Sequence, residues 1–190
     1  MVGGAFGCHR PDPVVTQGQA ALELFVKKDA KGLASIADQG ELRLVGTDRE
    51  RFAQLLQDEV FAHWEPVDKG DLDLSNRRQG IALVRVPMRN KSGQEFEFML
   101  NISSTDDGVI WIYPTSTIPM ILAAAQTAGQ GNRPSGLNKV RAWRDFAATT
   151  GPQWEAKYGL KGFVPAREAG LFTWSQLVQR YDKVLAENAE

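Results

Sequence analysis

The chain changes its hydrophobic period once in its first 113 residues. Up to Trp64 the apolar residues recur at three- and four-residue spacing, as on one face of a helix, and from Asp71 they recur at every second position, as on one face of a strand. Asp12 followed by Pro13 predicts the first helix start, with proline where a missing N–H costs nothing, and Val15, Leu22, Phe25 and Val26 supply its apolar positions. Asp29 then caps a short helix holding Leu33, Ile36 and Ala37, which Gly40 is expected to end. The alternation in Leu42-Arg43-Leu44-Val45 predicts a brief strand. Thr47 and Glu50 form a capping box that opens a third helix, whose face is Phe52, Leu55, Leu56, Val60 and Trp64 and whose stop is Pro66.

Beyond Asp71, a short strand with Leu72 and Leu74 and a turn near 76–80 precede longer strands at about 81–89, 94–104 and 109–113. A three-residue loop Lys91-Ser92-Gly93, with the glycine left-handed, sets Met88 opposite Phe96, Val86 opposite Phe98, Val84 opposite Leu100 and Ala82 opposite Ile102. A two-residue loop would put Val86 against Glu97 and mix the two faces, so the three-residue loop is expected. By the same logic, Ile112 meets Ile102 and Trp111 meets Ser103. One face of the sheet is then aliphatic. The other is mixed, with Arg85, Glu97, Met99, Asn101, Trp111 and Tyr113.

The stretch 129–136 reads as a linker, Gly-Gln-Gly-Asn-Arg-Pro-Ser-Gly, after a short Ala-rich helix near Thr117 and Pro119. Helical pieces follow at about 137–148, 152–158 and 174–187; the last is opened by a Thr173–Gln176 capping box with Phe172 and Leu177 as a staple. Trp143, Trp154, Tyr158, Phe163, Phe172 and Trp174 carry more apolar surface than so short a segment can bury alone. They are expected to pack on the rest of the protein; the competing reading is a small helical core of their own.

Composition narrows the chemistry. Of 190 residues 43% are apolar and 24% charged, as in ordinary globular domains. A net charge of -1 provides no global field for nucleic acid or an anionic membrane, and no apolar run is long enough to span a bilayer. One cysteine and two histidines argue against a metal site built from protein ligands alone, and no phosphate-loop or dinucleotide spacing occurs, so no cofactor is expected. Small apolar residues lead up to Cys8, with prolines following, like the end of a bacterial lipoprotein signal, but the basic start and long apolar stretch of such a signal are missing. Two readings stay open: residues 1–12 are a flexible terminus with a stray thiol, or the remnant of a signal in which Cys8 is lipidated. Location follows as cytoplasmic or lipid-anchored at the cell envelope, with membrane contact only if Cys8 carries lipid.

The helices with Ala21 to Asp29 and Phe52 to Trp64, followed by the strand pair Ala82–Met88 and Phe96–Ile102 and the closing Val109-Ile110-Trp111-Ile112, resemble the NTF2-like superfamily, also called the cystatin-like or SnoaL-like cone. The resemblance covers about residues 13–116. It implies an α+β fold in which N-terminal helices pack on a curved antiparallel sheet, with the domain at 13–128; the helical extension expected at 137–190 falls outside the resemblance. Enzymes of that superfamily enclose an apolar pocket with a carboxylate or histidine base. The candidates here are His63, Asp71 and Asp73, against the plainer reading of a helix-end histidine and solvated strand-start acids; Glu95 opposite Arg89 reads as a cross-strand ion pair. Since no recognisable catalytic arrangement occurs, the first functional reading is a non-enzymatic domain that binds a small apolar ligand or a protein. Trp111 and Tyr113 would then form a sheet-face interface, including one between two copies of the chain. The alternative is an isomerase, cyclase or hydrolase using a pocket carboxylate or His63. An open apolar pocket favours the enzyme, and a cone filled by side chains favours the binding domain.

Overall fold

The computed structural model describes residues 12–76, 81–104, 110–113, 136–163 and 170–188. The fold is α+β, with helices packed on an antiparallel sheet. Helix α1 (Pro13–Val26) starts at Asp12, whose carboxylate accepts the Val14 N–H at 2.9 Å. Its buried stripe is Val14, Gly18, Ala21 and Phe25, whereas Val15, Leu22 and Val26 are half-buried. The seam is set by small residues: a Cβ on Gly18 would lie 2.6 Å from Leu72 Cδ1, so the absent side chain is what lets α1 approach the sheet. The helix ends with Lys28 in the left-handed region (φ 55°), its N–H bonded to the Phe25 carbonyl and that of Asp29 to the Leu24 carbonyl.

Asp29 caps α2 (Ala30–Ile36) as expected, but Gly40 does not end it, because Ala37 is already extended. Asp38 then accepts the Glu41 N–H at 2.6 Å and opens α3 (Gln39–Leu44), so the strand expected at 42–45 is a helix. Leu42 and Val45, three apart, are the residues of that stretch that are buried, while Leu44 is half exposed. The Thr47–Glu50 capping box is also absent. Asp48 caps α4 (Arg49–Leu55) by accepting the Arg51 N–H at 2.9 Å, and the buried Thr47 hydroxyl instead donates to the Tyr158 carbonyl at 2.6 Å. The helix continues as a wider π-helical segment, Leu56–Phe61, and stops well before Pro66, since Trp64 already belongs to a strand.

Strands β1 (Trp64–Pro66) and β2 (Asp71–Asp73) lie end to end along one edge of β3 (Ile81–Asn90); β4 (Glu95–Ser104) and β5 (Ile110–Tyr113) extend the sheet on the other side. Between β1 and β2 the chain detours through Gly70, at φ 69°, where a Cβ would stand 2.4 Å from the Arg85 carbonyl oxygen. The register of β3 with β4 is the expected one throughout, Gly93 of the hairpin loop has φ 81°, and Ile102–Ile112 and Ser103–Trp111 are also paired. Ala82, Val84, Val86, Met88, Phe98, Leu100 and Ile102 are all buried on the aliphatic face. There Phe25 meets Phe61 edge-on with ring centres 5.4 Å apart, and Trp64 meets Phe98 at 5.4 Å.

The expected helices at 137–148 and 152–158 are one helix, α5 (Gly136–Tyr158), with Pro152 inside it. A two-stranded ribbon, β6 (Gly162–Phe163) with β7 (Phe172–Thr173), leads into α6 (Trp174–Glu187), which opens with the expected Thr173–Gln176 capping box. The aromatic residues of this segment pack on one another and on the N-terminal helices. Phe146 stacks edge-on with Trp154 (5.2 Å) and contacts Trp174 (6.2 Å), a local α5–α6 core in which the Trp174 indole N–H donates to the Leu160 carbonyl while the Trp143 and Trp154 indole N–H groups are buried without an acceptor. The end of α5 is docked on the N-terminal helices: the Lys161 N–H donates to the Val45 carbonyl at 2.8 Å. Gly46 (φ 87°) and Gly159 (φ 73°) face each other so closely that a Cβ on either would lie within 2.8 Å of the other's carbonyl oxygen. The buried residues of both parts form one contiguous apolar core.

Candidate functional site

The space between α1 and the aliphatic sheet face, where a ligand would sit in a cone, is occupied by side chains. Phe25, Phe61, Trp64, Met88 and Phe98 are each at most 4% exposed. The three candidate bases do not converge on it. His63 is exposed, in the turn after the π-helical segment; Asp71 is exposed at the start of β2; Asp73 is half-buried and engaged. Its carboxylate accepts the Ser75 N–H at 2.8 Å and the Arg85 guanidinium at 2.5 Å; the hydrogen bonding to Ser75 first, and then the positive charge of Arg85, hold it below the usual carboxylate range. Asp71 pairs in register with Arg85, while His63 precedes the residue paired with Asn90, so five positions of β3 separate them, roughly 16 Å. His63 and the two aspartates therefore cannot act on one small substrate together.

On the mixed sheet face, Arg85 reaches Asp73 and, at 4.0 Å, Glu97, while Arg89 pairs with Glu95 as expected. Leu83, Pro87, Met99 and Asn101 are half-buried in the same rows. The backbone register places Tyr113 opposite Asn101 and Trp111 opposite Ser103, on this face; the side chains of the two aromatics lie outside the described residues, as does Cys8.

A cluster of perturbed ionisable groups among the described residues lies elsewhere, where the π-helical segment meets α5. The Tyr158 hydroxyl approaches Glu59 Oε1 at 2.6 Å and Asp58 Oδ2 at 3.2 Å, and Lys157 Nζ approaches the same Asp58 oxygen at 2.8 Å. The hydrogen bond from Lys157 holds the Asp58 carboxyl below its ordinary range, and the same bond holds the Lys157 ammonium above its own. Burial, and then the hydrogen bond to Glu59, pushes the Tyr158 phenol up. A phenol made harder to ionise and a carboxylate made harder to protonate are both moved away from neutral pH, which suits a latch between elements and not proton transfer. No motif flags these residues in the sequence, because the partners are about a hundred positions apart.

Among the described residues, two of the concavities open to solvent bear on ligand binding. One, of about 600 Å³, lies between α2 and α4 over Ala30, Ala34 and Ala53, with Lys31, Arg49 and Glu50 on its rim. The other, of about 300 Å³, lies where β1 meets the β3–β4 hairpin and includes His63 and Lys91. Among the described residues no group of three metal-ligating side chains occurs, and no helix is long and apolar enough to cross a membrane. Comparison with protein-family patterns, with curated proteins and with solved structures finds no match to this chain.

Proposed function

We propose that this chain is a non-enzymatic binding or protein-interaction domain of NTF2-like type, working through the outer, mixed face of its sheet. The observation that carries the reading is the filled interior: among the described residues, Phe25, Phe61, Trp64 and Phe98 pack between helices and sheet and occupy the space a substrate would need there. The order of elements supports the type, since four short helices precede a meander of antiparallel strands whose aliphatic face rests on α1. The outer face combines half-buried Leu83, Pro87 and Met99 with the Arg85 charge cluster, a mixture suited to a protein partner, and the register adds Trp111 and Tyr113 to it. A second copy of the chain is the simplest such partner. An envelope location rests on Cys8: mass spectrometry of native protein that finds a lipid thioether there supports it, and a free thiol removes it.

The test is sedimentation of the full chain over a wide concentration range, together with photo-crosslinking from position 111 in native extract. A self-associated species or one dominant crosslinked protein is expected, lost in Trp111→Glu and Tyr113→Glu variants whose far-ultraviolet circular dichroism is unchanged. A chain that stays monomeric and yields no adduct above that of a probe at the exposed Leu44 would overturn the reading.

A further inference from the structure

We infer that the cavity at the end of the β1–β3 pairing binds a small carboxylate carried on a short aliphatic stem. It is bounded by Ala62 and His63 after the π-helical segment, Pro66 and Val67 at the end of β1, and Arg89 and Lys91 at the tip of the hairpin. At about 300 Å³ it matches the lower end of small-molecule sites. This inference shares Arg89 with the mixed sheet face but does not rest on that reading.

Hydrogen-bond accounting defines the ligand's charge. Glu65, the one acid in the wall, has both oxygens on Lys28 Nζ, at 2.7 and 2.8 Å. Arg89 donates through Nε to Glu95 at 2.8 Å. The Asn90 side-chain oxygen accepts from the Ser92 N–H, the Ser92 hydroxyl and the Gln94 N–H, and its amide nitrogen donates to Gln94. The side chains left with no partner at all are the Lys91 ammonium and the His63 imidazole, both exposed, and Arg89 keeps further N–H groups beyond those on Glu95. The ammonium has three donors and no acceptor, and the imidazole offers an N–H in either protonation state. The surroundings therefore supply donors to an incoming anion, and the neighbouring acid is already neutralised, so it does not repel one.

The rest of the wall defines the stem. Val67 is one of the few large apolar side chains left exposed, at 41%, and it stands beside exposed Ala62 and half-buried Pro66. A bare inorganic anion would use the donors and leave this surface wet, whereas a branched aliphatic carboxylate covers it and removes apolar area from water. In the larger cavity between α2 and α4, by contrast, the rim carries free groups of both signs and selects no one ligand charge.

The experiment is a titration of the full 15N-labelled chain with 3-methylbutanoate, followed by amide shifts. Saturable shifts confined to residues 62–67 and 89–91 are expected. Acetate, which has the charge without the stem, and 3-methylbutan-1-ol, which has the stem without the charge, are expected to bind about fivefold more weakly or worse. Lys91→Ala and His63→Ala each weaken binding, Lys91→Ala by about fivefold, and Lys91→Arg restores it. Both residues are exposed, so the unliganded spectra of the variants should overlay that of the parent. No saturable shift, shifts centred elsewhere, an equal response to acetate, or an unchanged affinity in Lys91→Ala would each overturn the assignment.

Discussion

Tyr158 shows what one buried side chain can do across about a hundred residues of sequence. Its hydroxyl is the neutral donor between Asp58 and Glu59, with a single proton that lies nearer Glu59, so Tyr158→Phe leaves that carboxylate short of a hydrogen bond and is expected to cost about 1–2 kcal/mol at neutral pH. The cost should depend on pH in a defined direction. The phenol is held above its ordinary value, so its contribution is complete below about pH 10 and disappears as pH rises from there through the folded-state value. Asp58 is held below its ordinary value, so its contribution is complete above about pH 4 and fades as pH falls through the folded-state value, in parent and variant alike. Urea unfolding at a series of pH values should therefore find the gap between parent and Tyr158→Phe closing on the alkaline side. None of this was legible in the sequence, where Tyr158 reads only as an aromatic in need of cover. The His63, Asp71 and Asp73 candidates were chosen as residue types, and residue type does not carry the roughly 16 Å that the β3 register puts between them.

Elements defined by many repeats of one signal were read well, and elements defined by a single competition were not. The β3–β4 register follows from four apolar pairs that agree with one loop length, and the first cap of the chain from an aspartate directly before a proline. The four residues Leu42 to Val45, in contrast, fit two periods equally, and the Asp38 cap decides between them. At the start of α4, Thr47 and Asp48 are adjacent cap residues; the aspartate wins because the threonine hydroxyl is engaged by the Tyr158 carbonyl. The two positions can be separated by substitution. Asp48→Ala should cost about 1 kcal/mol, as for an exposed cap, and should leave the α5 docking intact. Thr47→Val, which keeps the shape but strands a carbonyl, should cost a similar amount while loosening the environment of Tyr158. Amide exchange protection at Gly159 and Lys161 distinguishes them: it is expected to fall in Thr47→Val only.

At the scale of the whole molecule, the helical hairpin and the sheet domain share one core, and among the described residues they are joined by the Gly46–Gly159 contact, the hydrogen bonds on either side of it and the Tyr158–Lys157 cluster with Asp58 and Glu59. The parent chain should unfold in one transition, with near-ultraviolet and far-ultraviolet circular dichroism changing together. Gly46→Ala places a Cβ 2.8 Å from the Gly159 carbonyl oxygen at φ 87° and should cost at least about 2 kcal/mol, with the tertiary signal of the hairpin lost at lower urea than that of the sheet. Nature has left a reporter beside that joint. An excited indole lowers its energy by letting water or an acceptor reorient around it, and the Trp154 ring, 2% exposed with no partner for its N–H, has neither. Its emission, with that of the likewise unpartnered Trp143 indole, should lie at the blue end of the tryptophan range in the docked hairpin and move to the red when water enters, so the blue edge of the chain's emission reads the state of the joint without any added label.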